Sequence, residues 1–319
     1  MDIRKRWNTI LASAAFACIL CASSALADTH EKTEGKEVQI LFTHDMHSHL
    51  DSYKAEKDGS TVMIGGFGKL KTLTEEKREQ CPSTFLVDGG DFSMGTLYQT
   101  IYETEAPEIT LMGQIGYDAV TFGNHEFDYR SQGISNMLHT AAKRAQEVGK
   151  YHLPALVSAN IDWEKNTSSD NLLVKEAMEA YGSTPYVVIE RGGVRVGIYG
   201  VLGKDADECA PESGLEFEDI VETSKDMIEQ LKKEQVDMII CLSHSGTSEQ
   251  EEKSEDEILA RAVPEIDVII SGHTHTTLEE VIQYGDTYVV SAGSYCENLG
   301  ELHLSRKENG RWNLEKYLL

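Results

Sequence analysis

In the segment VTFGNHEFD (120–128) an apolar run stops at Gly123 and then presents Asn124, His125, Glu126 and Asp128. Four other segments have the same form. THDMHSHL (43–50) places Asp45 and His47 after an apolar run, DGGDFSMGT (88–96) places Asp91, SHSG (243–246) places His244, and SGHTH (271–275) places His273 and His275. Carboxylate, imidazole and amide oxygen together suit borderline or hard divalent ions such as zinc, manganese or iron(II). Asp45-x-His47 and His273-x-His275 each put two side chains on the same side of an extended segment. Seven donors are too many for one tetrahedral zinc with an open position, and they fit two ions that share a carboxylate. His49 and Asp88 flank these donors and are candidates to support them by hydrogen bonds. Glu126 has no role beyond loop structure at this level.

The elements that must carry these segments follow from the apolar pattern. Short runs at 38–43, 84–87, 119–122, 155–160, 238–243, 267–271 and 287–293 alternate with amphipathic stretches near 66–79, 107–116, 131–148, 218–234 and 254–262. This alternation predicts an α/β fold with buried strands and covering helices. The donor segments follow five of the strands, and sites in such folds form at the carboxyl ends of strands. Residues 185–201 read as a hairpin around Arg191-Gly192-Gly193, and 300–319 as another turning at Glu308-Asn309-Gly310, so the sheets are mixed. Residues 162–171 read as a surface loop. The acidic run 248–257 reads as a solvated helix start, and Tyr98, Tyr102, Tyr181, Tyr186 and Tyr295 as core or surface residues.

The 319 residues are 40% hydrophobic, an ordinary globular content. The formal charge of −25 argues against a nucleic-acid polymer or an anionic membrane as partner. Residues 1–27 read as a signal peptide: Arg4, Lys5 and Arg6 precede an apolar run too short to span a bilayer comfortably, and Ala25-x-Ala27 follows. A retained membrane anchor is the alternative. Residues 28–36 read as a polar lead-in and 37–319 as one catalytic domain, soluble and placed outside the cytoplasm with no membrane span after cleavage. Beyond residue 27, Cys81, Cys209, Cys241 and Cys296 permit one or two disulfides, with Cys241 inside MIICL read as a buried free thiol.

The ordered set D-x-H, GGD, GNHE, the strand-end H-S-G and GHTH resembles the calcineurin-like metallophosphoesterases. THDMHSHL, DGGDFSMGT and GNHEFD, with GGFGKL (65–70), are similar to the exported 5′-nucleotidase branch, which includes UDP-sugar hydrolases and 2′,3′-cyclic phosphodiesterases. The resemblance spans roughly residues 37–305. It implies two stacked mixed β-sheets flanked by helices, a four-layer sandwich. It implies that Asp45, His47 and His275 hold one divalent ion, that Asn124, His244 and His273 hold the other, and that Asp91 bridges them. It also implies that His125 sits beside the phosphate of a small phosphate ester and that Asp128 orients it. Two dications would outweigh the carboxylates of Asp45 and Asp91 and make the site locally positive, at ranges where the acidic surface is screened. The branch's second, base-stacking domain has no counterpart before Leu319, so leaving-group recognition does not carry over with the motifs. The rival classes are a phosphodiesterase or nucleotide-sugar hydrolase, and a catalytically silent metal-binding adhesion protein.

Overall fold

The computed structural model describes residues 36–57 and 59–319; the signal-peptide reading and most of the lead-in lie outside the described residues. The strands in chain order are β1 (Glu37–Thr43), β2 (Tyr53–Lys57), β3 (Ser60–Ile64), β4 (Thr84–Asp88), β5 (Ala119–Val120), β6 (Ala155–Leu156) and β7 (Tyr186–Arg191). They continue as β8 (Val194–Leu202), β9 (Met238–His244), β10 (Val268–Ser271), β11 (Ile282–Tyr284), β12 (Thr287–Val290), β13 (Gly300–Arg306) and β14 (Trp312–Leu318). One six-stranded sheet has the order β14-β13-β1-β4-β5-β6 and the other β11-β12-β10-β9-β8-β7. In the first, β1, β4, β5 and β6 run parallel, β13 pairs antiparallel with β1, and β14 pairs antiparallel with β13. In the second, β8, β9, β10 and β12 run parallel, with antiparallel strands at both edges.

The period of two along each strand explains the layering. Val38, Ile40 and Phe42 of β1 share a buried cluster with Ile198, Ile240, Leu242, Val268 and Ile270 of the second sheet, so these residues fill the space between the sheets. Leu41 and Leu86 pack instead with Phe67, Ile109, Ile134 and Val174, from the helices Phe67–Gln80, Pro107–Ile115, Arg130–Val148 and Ser169–Tyr181. Cys241 and Ile269 pack with Ile228 and Leu259, from Ile220–Lys233 and Glu255–Ala262. Both faces of each sheet are covered, which is why the strands read as continuous apolar runs. The result is a mixed α/β sandwich of two sheets between helical layers.

Both expected hairpins are present. Arg191 pairs with Val194 across Gly192-Gly193, whose φ values of 59° and 76° are those a two-residue type I′ connection demands. The loop expected over 162–171 is shorter than predicted. Ser168 caps the helix Ser169–Tyr181, its side chain accepting the Asn171 N–H, and the helix buries Val174, Ala177 and Met178. The β2–β3 hairpin was not predicted either, because its residues are mostly polar and partly exposed. All four described cysteines are free thiols, and Cys241 is buried, so none of the permitted disulfides is present among them.

Candidate active site

The five donor segments leave the carboxyl ends of β1, β4, β5, β9 and β10, three from one sheet and two from the other. Short β5 lets the chain leave its sheet at Thr121, and the Gly123 that follows allows contact with the Asp91 loop. A Cβ on Gly123 would overlap Asp91 Oδ1. Five of the seven donors, Asp45, His47, Asp91, His273 and His275, have φ between 45° and 77°. Left-handed backbone is uncommon for such residues, and it persists where the surroundings over-determine it.

The structure brings all seven donors together. His275 Nε2 lies 3.5 Å and His47 Nε2 3.8 Å from Asp45 Oδ1, and the two imidazole nitrogens are 2.9 Å apart. His244 Nε2 is 3.2 Å from both Asp91 Oδ2 and Asn124 Oδ1, and His273 Nδ1 is 3.0 Å from Asn124 Oδ1. Asp91 Oδ2 is also 3.8 Å from His47 Nε2, so Asp91 touches both groups. The Nδ1–H groups of His47 and His244 donate to the Met94 and Gly89 carbonyls at 3.1 and 2.8 Å, which turns each Nε2 lone pair towards the carboxylates.

The charge balance of this cluster calls for cations. Asp45 and Asp91 are fully buried, and among the described residues neither pairs with Lys or Arg. Burial opposes their ionisation, but the surrounding imidazoles, His44 and His244 for Asp45 and His244 for Asp91, hold both carboxyls below the usual range. Burial pulls His244 down, yet Asp91 and Asp45 outweigh it and push it up to about 10. Burial keeps His47 and His273 below the ordinary imidazole value, in the neutral form that ligates metal. Imidazoles converging on buried carboxylates, with His47 and His273 held neutral, fit divalent ions.

His125 stands beside this cluster, its ring 5.1 Å from that of His47. Its Nδ1–H donates to Asp128 Oδ2 at 2.9 Å, and this bond, against partial burial, pushes the imidazole up to about 9. Both residues line an open cleft of about 590 Å³ whose walls include His49, Met94, Gln99 and Tyr295. Among the described residues the His49 side chain bonds only to the carbonyls of Met46 and His47, and its ring lies 4.7 Å from that of Tyr295 at a tilt of 44°. Tyr295 is therefore a cleft residue rather than plain core or surface. Asp88 accepts the Thr43 hydroxyl at 2.6 Å and the Gly90 N–H at 3.0 Å, tying β1 to the turn before Asp91.

Three supporting residues escaped the sequence reading. Glu126 accepts the N–H groups of Asp91, Ser93 and Gly123 and the Ser93 hydroxyl, all within 3.0 Å. Burial and the Asp91 charge push its carboxyl up to about 7. His44, fully buried, lies 2.5 Å from Asp45 Oδ2. Asp205 accepts from His273 Nε2 at 3.0 Å, and the helix Lys204–Glu208 that carries it is held by Glu255, which accepts the Lys204 and Asp205 N–H groups. The acidic run thus does more than face solvent: Glu255 caps that helix, and fully buried Asp256 accepts the Gly246 N–H at 3.0 Å. The useful signal was a polar residue beside each donor, but its partner lies in another segment.

Two stacked mixed sheets gather acid and imidazole donors where their parallel strands end, the scaffold and rim of a candidate metal site. The calcineurin-like phosphoesterase family model matches residues 25–277, and the chain belongs to that family. It is 31% identical over 290 residues to the trifunctional nucleotide phosphoesterase protein YfkN of Bacillus subtilis, covering 86% of this chain and 18% of that one. It is 32% identical over 265 residues to the 5′-nucleotidase of Rattus norvegicus, covering 82% and 42%. The structure of a 5′-nucleotidase precursor from Thermus thermophilus superimposes with a TM-score of 0.72 at 25% identity, covering 89% of this chain and 54% of that one. The chain therefore spans less than half the length of these two curated relatives. None of the described helices is long and apolar enough to cross a membrane.

Proposed function

We propose that this chain is a dinuclear-metal phosphoesterase that hydrolyses small phosphate esters, nucleotides foremost, outside the cytoplasm. The observation that carries the reading is the pair of buried carboxylates, Asp45 and Asp91, ringed by imidazoles with no Lys or Arg partner among the described residues, next to the His125–Asp128 pair at the open cleft. The nucleotide assignment draws on the relatives named as nucleotidases and nucleotide phosphoesterase. Export draws on the leader pattern of residues 1–27.

Asp45, His47 and His275 would hold one ion and Asn124, His244 and His273 the other, with Asp91 shared. Zinc, manganese and iron(II) all match this donor set. Bound ions supply Lewis acidity to the phosphoryl oxygens and an acidified water as nucleophile. The remaining work falls to side chains of the chain. Asp128 orients the His125 ring by accepting from Nδ1–H, and in the imidazolium that this bond favours Nε2–H is left to donate. A cationic His125 balances charge that develops on the phosphoryl group and gives a proton to the departing oxygen. His49 and Tyr295 offer an aromatic wall to the leaving group.

Purified protein reconstituted with zinc or manganese tests this reading, with AMP, UDP-glucose, 2′,3′-cyclic AMP and an aryl phosphate as substrates. Preference for AMP supports the nucleotidase reading. Preference for the cyclic or sugar nucleotide replaces it with the diesterase or pyrophosphatase reading. If fully metallated protein leaves all four intact, a catalytically silent metal-binding protein is the correct reading.

A further inference from the structure

Both ring nitrogens of buried His44 have protein partners, and one of them is Asp45. Its Nε2 lies 2.7 Å from the main-chain nitrogen of Ala292. A peptide N–H can only donate, so Nε2 is an acceptor and carries no proton. The proton is therefore on Nδ1, which lies 2.5 Å from Asp45 Oδ2 and donates to it. The His273 N–H is shared between Asp45 Oδ2 at 3.0 Å and Oδ1 at 3.2 Å. Oδ2 thus carries the short His44 bond and the shorter arm of this shared N–H. Oδ1 is the oxygen that faces His275, His47 and His244, at 3.5, 3.8 and 4.0 Å.

We infer that His44 is a positioning residue that commits Asp45 to one-oxygen coordination and so biases the site towards small borderline cations over larger hard ones. This rests on the reading of Asp45 as a metal ligand. Calcium takes six to eight oxygens and accepts a carboxylate through both of them, whereas zinc takes four ligands. A carboxylate with one oxygen already consumed suits the second case. The same bond fixes the carboxylate's rotation, as an imidazole's outer partner does when the ligand is histidine.

Three substitutions separate this role from simple packing. His44→Asn keeps an amide donor where Nδ1 stands and loses the acceptor for Ala292. His44→Gln keeps an acceptor near Nε2 and loses the donor to Asp45. His44→Phe keeps the ring and loses both. The measurement is the affinity of each metal-free protein for zinc and for calcium by chelator competition at fixed pH, with the thermal unfolding of the metal-free proteins recorded alongside. Zinc affinity is expected to fall about 10–100-fold in the Gln and Phe variants and to stay near that of the original protein in the Asn variant. The zinc-to-calcium ratio is expected to fall with it, a change that general loosening would not produce because it would weaken both ions together. Equal zinc affinity in the Phe variant, or a loss in the Asn variant matching that in Phe, overturns the inference. A metal-free parent that binds no zinc at all overturns instead the metal-site reading beneath it.

Discussion

The carboxylate of Glu126 accepts the main-chain N–H of Asp91 at 3.0 Å, and the same oxygen accepts that of Gly123 at 2.7 Å. One buried side chain thus clamps the loop after β4 to the loop after β5, and Asp91 and Asn124 are held in register by it. In Glu126→Gln an amide NH₂ must face N–H or hydroxyl donors that now lack an acceptor. The expected loss is about 1–3 kcal/mol of stability, the cost of unsatisfied buried groups, together with weaker metal binding. Calorimetric unfolding and chelator competition measure both. Unchanged values in both would remove the clamp role.

His125 and Asp128 should separate kinetically. His125→Ala is expected to lower kcat by about 10²–10⁴, the usual contribution of a positioned acid, with a much smaller effect on KM. Asp128→Asn should lower kcat by a smaller factor, because the ring stays in place and loses only the carboxylate that favours its imidazolium form. Steady-state kinetics on the best substrate of the panel decides. Full activity in His125→Ala refutes the assignment.

Gly123→Ala tests the contact between the two loops from the steric side. The added methyl would overlap Asp91 Oδ1 and meet the Asp91 nitrogen at 2.5 Å. Relief requires moving the shared carboxylate, at a cost of about 1–3 kcal/mol for an overpacked site. Loss of metal affinity together with a lowered Tm is the expected result.

Asp256 gives a pH signature. Burial pushes its carboxyl up to about 7, although the Gly246 N–H donates to it. A raised carboxyl means that the folded chain holds a proton which the unfolded chain has already released. Stability contributed by this group therefore falls as pH rises from about 4 to about 7. Asp256→Asn should flatten that slope while keeping an acceptor for the Gly246 N–H. Denaturant unfolding of both proteins between pH 4 and 7 provides the comparison; parallel slopes would exclude Asp256 as their source.

Chelation should abolish phosphate binding rather than merely slow turnover, since the rim residues without cations carry the buried charges of Asp45 and Asp91. Calorimetric titration of phosphate into metal-free and reconstituted protein makes the test. Equal affinity in the two would show that the metals do not supply the positive site.

The readable and unreadable parts of the sequence differ for physical reasons. SSDN (168–171) reads as loop because Ser, Asp and Asn favour turns, yet the same side-chain chemistry starts helices, and Ser168 caps one here. The apolar runs marked the strands, but β5 and β6 keep only two residues each, and after β5 the chain turns out of the sheet towards Gly123 and Asn124. The polar hairpin of β2 and β3 offered no apolar alternation to read.

The sequence alone determined which donor types exist and that each set follows a strand. Parallel strands of a sheet end on one edge, which groups Asp45, Asp91 and Asn124 on one sheet's edge and His244 and His273 on the other's; the stacking of the two sheets joins these edges into one rim. Only the tertiary structure decided how each donor is held. Glu126 reaches Asp91 across 35 residues, Asp205 meets His273 across 68, and His44 meets Ala292 across 248. Such bonds depend on the register of strands and the packing of two sheets, which bring together groups that no local pattern relates.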